Sequence, residues 1–303
     1  MNKSEQTRCR AGALKPSKPR AAAAEYAPGM TTTSPSLPRA ARLPINRCNL
    51  PAVILGSLTY QRHPVPLKLD GVEELHRPLF ALLARLGDPG ERAGAFMAHM
   101  DAAFCLAHPE DAGYSAAWPL GRAKANYLNA LRGWAFDADG REGAVLKGWV
   151  ESRFGLMPRH HGGPIRDFSE RTYRHYLEQR SGGLYNTNSL EAQLDLLYAY
   201  CQHELARRWP GETHLTLYRG VNRMGDYEVL DEGERGRRVV LLNSLNSFTP
   251  ERERACEFGD TILEARVPLA KVCFFHALLP GKLRGEEEFG VIGGVYEVRY
   301  GVL

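Results

Sequence analysis

Long apolar runs are missing from this chain of 303 residues. Nothing in it approaches the ~18–20 consecutive apolar residues that a helix needs to span a bilayer, so it reads as soluble rather than as an integral membrane protein. Cysteine is sparse and scattered: Cys9, Cys48, Cys105, Cys201, Cys256 and Cys273 form no CxxC pair. With no secretory signal ahead of them, that spacing disfavours a disulfide framework or a structural zinc site and favours the reducing cytoplasm. The usual phosphate-cradling glycine motifs, GxGxxG and GxxxxGK[ST], are absent, as is the G-x-S-x-G nucleophile elbow.

Other familiar chemistries fail on spacing. "HELAR" at 203–207 begins like a zinc-protease helix, but Arg207 stands where the second imidazole belongs, so the segment reads as a surface helix end. His160 and His161 are adjacent and diverge on any regular backbone, and no carboxylate or cysteine lies near them in sequence, which favours a loop role over metal ligation. "DADGREG" at 137–143 lacks the twelfth-position glutamate of a calcium loop and reads as a turn. No metal site is expected.

A net positive charge is missing outside the first fifty residues. These hold nine of the 39 Lys and Arg but two of the 35 Asp and Glu, which leaves residues 51–303 at a net charge of −3. A mildly acidic body argues against a nucleic-acid surface. Residues 1–45 are rich in Ala, Pro, Ser and Thr and read as a disordered basic tail; a transit peptide accounts for it, and so does a true start at Met30.

From about 72 to 209 the apolar periodicity is helical. Val72, Leu75, Leu79, Leu82, Leu83 and Leu86 form one apolar set and Phe96, Met97, Met100 and Phe104 another, each read as a core face. In "NSLEAQLDLLYAYCQHELARRW", Asn188 and Glu191 form a capping pair and Leu190, Leu194, Leu197 and Cys201 line one side. After Gly211 come short β-rich runs without strand–helix–strand alternation. The expectation is an α+β protein: a helical region at 46–210 packed on a β-rich core of antiparallel or mixed sheets at 211–303, the two able to form one compact unit.

Three pieces of the β-rich third share a chemical theme. "LTLYRGV" places Arg219 and Gly220 at a strand end, "LNSFT" places Ser247 and Thr249 at another, and "GEEEFG" supplies Glu286, Glu287 and Glu288. Singly, these are ordinary: a surface cation, a helix cap and a solvated charge run. In this order they resemble the Arg–Ser–Glu signature of mono-ADP-ribosyltransferases, in the Glu-x-Glu form associated with arginine acceptors. The segments 63–67, 142–156, 192–202, 215–222, 247–269 and 285–294 extend the likeness from about residue 45 to the C-terminus. They look like the dinitrogenase-reductase ADP-ribosyltransferase family, which switches off nitrogenase in some diazotrophic bacteria.

That resemblance implies NAD+ as co-substrate, an ADP-ribosyltransferase-like core, dinitrogenase reductase as acceptor and control by PII nitrogen-signalling proteins. It assigns Glu288 to the NAD ribose and the developing positive charge, Glu286 to the acceptor guanidinium, and Ser247 to orienting Glu288. Arg219 is placed on an NAD phosphate and Gly220 beside the nicotinamide carboxamide; Thr249 supports the ribose side. Phe258 either packs on nicotinamide or is a core phenylalanine. An extended segment would set Glu286 and Glu288 on one face and leave Glu287 solvated. The Ser-Phe-Thr motif departs from the Ser-Thr-Ser of many relatives and leaves Phe248 without a role. Water as acceptor would make the protein an NAD glycohydrolase, which has no need of Glu286, and a different arginine acceptor is a further alternative.

Overall fold

The computed structural model describes residues 35–108, 124–185, 187, 189–222, 224–234, 236–283 and 287–302. Glu286 and Asn188 therefore lie outside the described residues, as does most of the basic tail. Residues 35–45 differ from the tail reading: Leu37 and Ala41 are buried, Leu43 N donates to Gly155 O, and Arg42 bridges to Leu156. Two apolar side chains with a docking surface are enough to order a segment whose composition looks unstructured.

Ten α-helices and six strands occur among the described residues. The helices ahead of the sheet are α1 (Ala52–Leu55), α2 (Leu58–Arg62), α3 (Val72–Leu75), α4 (Arg77–Leu83), α5 (Pro89–Phe104), α6 (Tyr127–Phe136), α7 (Arg141–Phe154), α8 (Arg171–Gly183) and α9 (Ser189–Arg208). Then follow β1 (His214–Val221), β2 (Glu228–Glu232), β3 (Arg237–Phe248), α10 (Arg252–Cys256), β4 (Thr261–Pro268), β5 (Val272–Phe275) and β6 (Phe289–Val302). The strand order is β1-β4-β6-β3-β2, with β5 also paired to β6, and every pairing is antiparallel. This is the α+β arrangement expected, with helices gathered around one sheet.

The single apolar face read from Val72 to Leu86 breaks in two at His76, which caps α3 and precedes α4. Leu79 and Leu83 of α4 are buried, but Leu75 of α3 is 77% exposed and Leu82, beside the buried pair on α4, 45%. The second set holds, with Phe96 and Met100 fully buried. In α9, Leu190, Leu194, Leu197 and Cys201 are all buried, and the helix packs on β5. Ser34–Leu303 forms a single contact unit, so helices and sheet share one core.

The helix α7 is the pivot of the helical region and is buried on nearly every side. Two of its buried charged residues meet neighbours on other helices: Glu151 accepts from Tyr176 and Arg180 of α8, and Arg153 pairs with Asp195 and Glu191 of α9. Such pairing is what permits ionised groups in a core. "HELAR" is likewise no surface end: Glu204 is fully buried, and Arg92 of α5 grips both its carboxylate oxygens. The sequence gives no hint of that partner more than a hundred residues away.

Two irregularities shape the sheet near its centre. A register shift between Leu242 and Leu245 bulges β3 at Asn243, and on the facing strand Gly294 has φ +110°. A Cβ on Gly294 would stand 2.8 Å from the Gly56 backbone, and Val295 N donates to Gly56 O there. The double glycine of "VIGGVY" thus lets the α1–α2 corner dock against the sheet.

Lys271, between β4 and β5, is completely buried; it donates to Gly293 O at 2.7 Å and lies 4.6 Å from the Tyr296 ring centroid. Burial pushes its pKa down to about 7. The folded value lies below the unfolded one, so between them the unfolded chain binds more protons and stability rises with pH. Unfolding free energy is expected to climb by up to about 2 kcal/mol from pH 7 to 8.5, and Lys271→Met should flatten that rise in chemical denaturation. An unchanged slope in the variant would remove Lys271 as its source.

Candidate active site

Short elements from both halves of the chain wall a cleft of about 490 Å³, within the usual range for ligand sites of ~300–1,000 Å³. The sheet supplies Arg219, Gly220 and Val221 from β1 and Leu241, Asn243, Leu245, Asn246 and Ser247 from β3. The helical region supplies Trp134 from α6, Lys147 from α7, and Asp139, Arg159, His160 and Arg166 from the connecting loops.

Asn243, at the β3 bulge, ties the two halves. Its Oδ1 accepts from Arg159 N and Ser244 N while its amide donates to His160 O. A bulge redirects a side chain that regular alternation would have placed elsewhere, and here it fixes the loop after α7 against the cleft.

Arg219 extends from β1 with its fork held by two neutral acceptors, the Tyr227 hydroxyl at 3.0 Å from Nε and Ser247 O at 2.8 Å from Nη1. These orient the guanidinium without cancelling its charge. Lys147, 1% exposed, pairs with Asp139 at 2.7 Å and donates to His160 O at 3.0 Å. Burial pushes the Lys147 pKa down, though Asp139 opposes it. For Asp139 burial works upward, but the His160 hydrogen bond and the Lys147 charge outweigh it and hold the carboxyl well below its ordinary range. The Asp139 carboxylate is therefore ionised at neutral pH. Burial and the Lys147 charge press His161 down to about 4, leaving it neutral. With Arg159 and Arg166, both beside Glu228, the wall is rich in cations and suited to a diphosphate.

Ser247, near the end of β3, donates from Oγ to Glu288 Oε1 at 2.5 Å. Glu288 precedes β6, and its carbonyl accepts from His276 N at 2.8 Å. Trp134 Nε1 donates to the same Oε1 at 2.6 Å. Both donors line the main cleft; Glu288 itself opens onto a small adjoining slot of about 30 Å³ bounded by Leu131, Arg132, Ala135, Phe274, His276 and Leu283.

Ser247, Glu288 and Arg219 thus come together. The other sequence candidates divide. Gly220 lines the cleft, but its lack of a side chain also answers to packing: a Cβ would lie 2.0 Å from Ala255 O of α10. Phe258, 50% exposed on the cleft wall, is not a core phenylalanine. Thr249 turns away; it is buried, bridges Tyr218, and its hydroxyl accepts from Glu251 N at 3.3 Å as α10 begins. Phe248 is buried in the core, which explains why that position is apolar here.

Two expectations from sequence need correction. Glu287 has φ +52°, so the chain turns there and the simple alternation of an extended segment does not apply; Glu287 itself is exposed, as expected. His160 and His161 do have a carboxylate neighbour, because the "DADG" turn brings Asp139 to both. No cluster of three or more metal-binding side chains occurs among the described residues.

Sequence reasoning missed Trp134, Lys147, Tyr227 and Asn243. Of these only Lys147 carried a signal, a lone cation inside the apolar run "AVLKGWV".

A family model described as dinitrogenase reductase ADP-ribosyltransferase matches residues 45–300. The NAD(+)--dinitrogen-reductase ADP-D-ribosyltransferase of Rhodospirillum rubrum is 42% identical over 258 residues, covering 84% of this chain and 93% of the relative. No solved structure matches. Since the matched region takes in both the sheet that carries Arg219, Ser247 and Glu288 and the helices that complete the cleft, the chain belongs to the dinitrogenase reductase ADP-ribosyltransferase family.

Proposed function

We propose that this protein is an NAD+–protein-arginine ADP-ribosyltransferase that moves ADP-ribose from NAD+ to an arginine of dinitrogenase reductase and releases nicotinamide. The observation that carries the reading is Glu288, held by Ser247 at the edge of a cation-walled cleft that also presents Arg219. The family membership and the Rhodospirillum rubrum relative support the acceptor.

The chemistry needs little from the protein beyond placement and charge. The bond from ribose C1′ to the nicotinamide ring nitrogen breaks with its electron pair leaving on the nicotinamide, which departs neutral, so no general acid is required. Glu288 holds the ribose 2′-hydroxyl and opposes the positive charge that develops at the anomeric carbon. Arg219, Lys147 and Arg159 suit the diphosphate, and Phe258 offers an aromatic face for the nicotinamide.

A guanidinium nitrogen of the acceptor then bonds to C1′ and loses a proton. Such a group has a pKa above ~12 and needs a base to orient and deprotonate it; the family resemblance assigns this to Glu286. Regulation by PII nitrogen-signalling proteins rests on the same resemblance, and a cytoplasmic location on the scattered cysteines. No helix among the described residues is long and apolar enough to cross a membrane.

The test follows NAD+ labelled in its adenylate half, with ADP-bound dinitrogenase reductase as acceptor, scoring label on protein and free nicotinamide together. Stoichiometric labelling is expected. In Glu286→Gln, transfer should fall by roughly a hundredfold or more while slow nicotinamide release persists. Release without labelling in the unaltered protein would favour the glycohydrolase or another acceptor, and no NAD+ turnover at all would defeat the reading.

A further inference from the structure

We infer that Trp134 is a positioning residue for the reaction, contributed by the helical region to the carboxylate of Glu288. The inference rests on the transferase reading above and adds a second anchor to it. Trp134 is buried in α6, and its Nε1–H reaches Glu288 Oε1 at 2.6 Å. Indole is a donor only, so the direction of this bond is fixed, and with an ionised acceptor it is of the stronger, charge-assisted kind.

The geometry favours positioning over mere packing. Ser247 Oγ–H approaches the same oxygen from β3, so two donors on two different elements converge on Oε1. A carboxylate held at one oxygen by a single hydroxyl can still swing about that contact. Held by two donors from separate directions, it has one orientation, and the direction of Oε2 is set with it. Fixing a charge before the reaction is what makes it effective in the transition state, because nothing then has to reorganise.

The Trp134 ring is itself buried, with Lys147 Nζ 6.0 Å from its centroid and Lys147 paired with Asp139. A chain of contacts therefore runs from the wall of the cleft to Glu288 through the helical region. Trp134 is the member of it that touches the carboxylate.

The experiment compares Trp134→Phe with the unaltered enzyme in the wild-type and Glu288→Gln backgrounds. Phe removes the N–H donor and keeps an aromatic ring; benzothienylalanine, which preserves the indole shape without the N–H, serves if Phe disturbs folding. The expected result is a fall in kcat of roughly ten- to a hundredfold with KM for NAD+ changed less than about threefold. In the Glu288→Gln background the same change should have little further effect, since the charge to be oriented is gone. Trp134→Phe with Ser247→Ala should be non-additive, because both donors serve one oxygen.

An unchanged kcat in Trp134→Phe, with Glu288→Gln inactive, would overturn the role of Trp134 and leave the site reading intact. An equal loss in both backgrounds would mark Trp134 as structural and also overturn it. Full activity of Glu288→Gln would overturn the site reading and this inference together.

Discussion

Glu288→Gln is expected to lower nicotinamide release and ADP-ribose transfer together by roughly a thousandfold while leaving NAD+ affinity within a few-fold. The substitution isolates charge from shape. A glutamine at this position keeps an oxygen able to accept from Ser247 Oγ and Trp134 Nε1, so the two contacts that hold the side chain persist. On the proposed role of Glu288, what disappears is the negative charge set against the cation-like sugar, and with it an interaction that is stronger in the transition state than in the bound substrate. The loss belongs in kcat rather than KM.

Single-turnover release of nicotinamide, paired with an equilibrium titration of NAD+, separates the two quantities. Activity within about tenfold of the unaltered enzyme would mean that the chemistry lies elsewhere in the cleft. A large rise in the NAD+ dissociation constant would instead assign Glu288 to ground-state binding. Transfer and release should fall in step, because the proposed role puts Glu288 on the bond-breaking half that both share. That is also what distinguishes it from Glu286, whose change is expected to uncouple them.

The division between what the sequence disclosed and what it did not follows from the range of the interactions. Helix and strand signals are local, so the change from helices to strands near Gly211 and the buried face of α9 could be read directly. The triplet of Arg219, Ser247 and Glu288 was legible only through its order along the chain. Their meeting depends on β3 and β6 pairing over their length, with Ser247 opposite Gly290, which no short window contains.

Trp134 was invisible for the same reason. In "LRGWAF" it is one more apolar residue on a helix, and only the approach of α6 to the residue ahead of β6 turns its N–H into a partner for a carboxylate. Thr249 shows the opposite case: its place in a Ser-x-Thr motif suggested the substrate, and the fold shows in addition a local partner, with its hydroxyl accepting from Glu251 N at the turn into α10. The alternation argument for Glu286 and Glu288 assumed an extended backbone that the positive φ of Glu287 does not provide.

Removing the Glu204 carboxylate should cost the fold about 3–5 kcal/mol. Arg92 lies beneath α9 with its side chain 3% exposed, and it donates through Nε and Nη2 to both oxygens of Glu204. Arg208, one turn along α9, adds a third donor at 3.2 Å. In Glu204→Ala the buried guanidinium keeps its bonds to Leu86 O and Gly87 O but loses its counter-charge. For a domain of this size that corresponds to a fall in melting temperature on the order of 10 °C.

The pair also has a pH signature. Burial alone would raise the Glu204 pKa, but Arg92 and Arg208 more than offset it and hold it below the usual value. A depressed carboxylate contributes stability that is complete above its unfolded pKa and is lost as pH falls through the folded one, so the contribution should be intact at neutral pH and vanish on acidification. Calorimetry of Glu204→Ala against the unaltered protein at pH 7 and at pH 4 reads both effects. The gap between the two proteins should narrow at the lower pH. Replacing Arg92 and Glu204 together by Met should recover part of the loss, because an apolar pair leaves no charge stranded. A deficit under about 1 kcal/mol for the single change, the usual ceiling for a solvated pair, would return this helix end to the surface role that its sequence suggests.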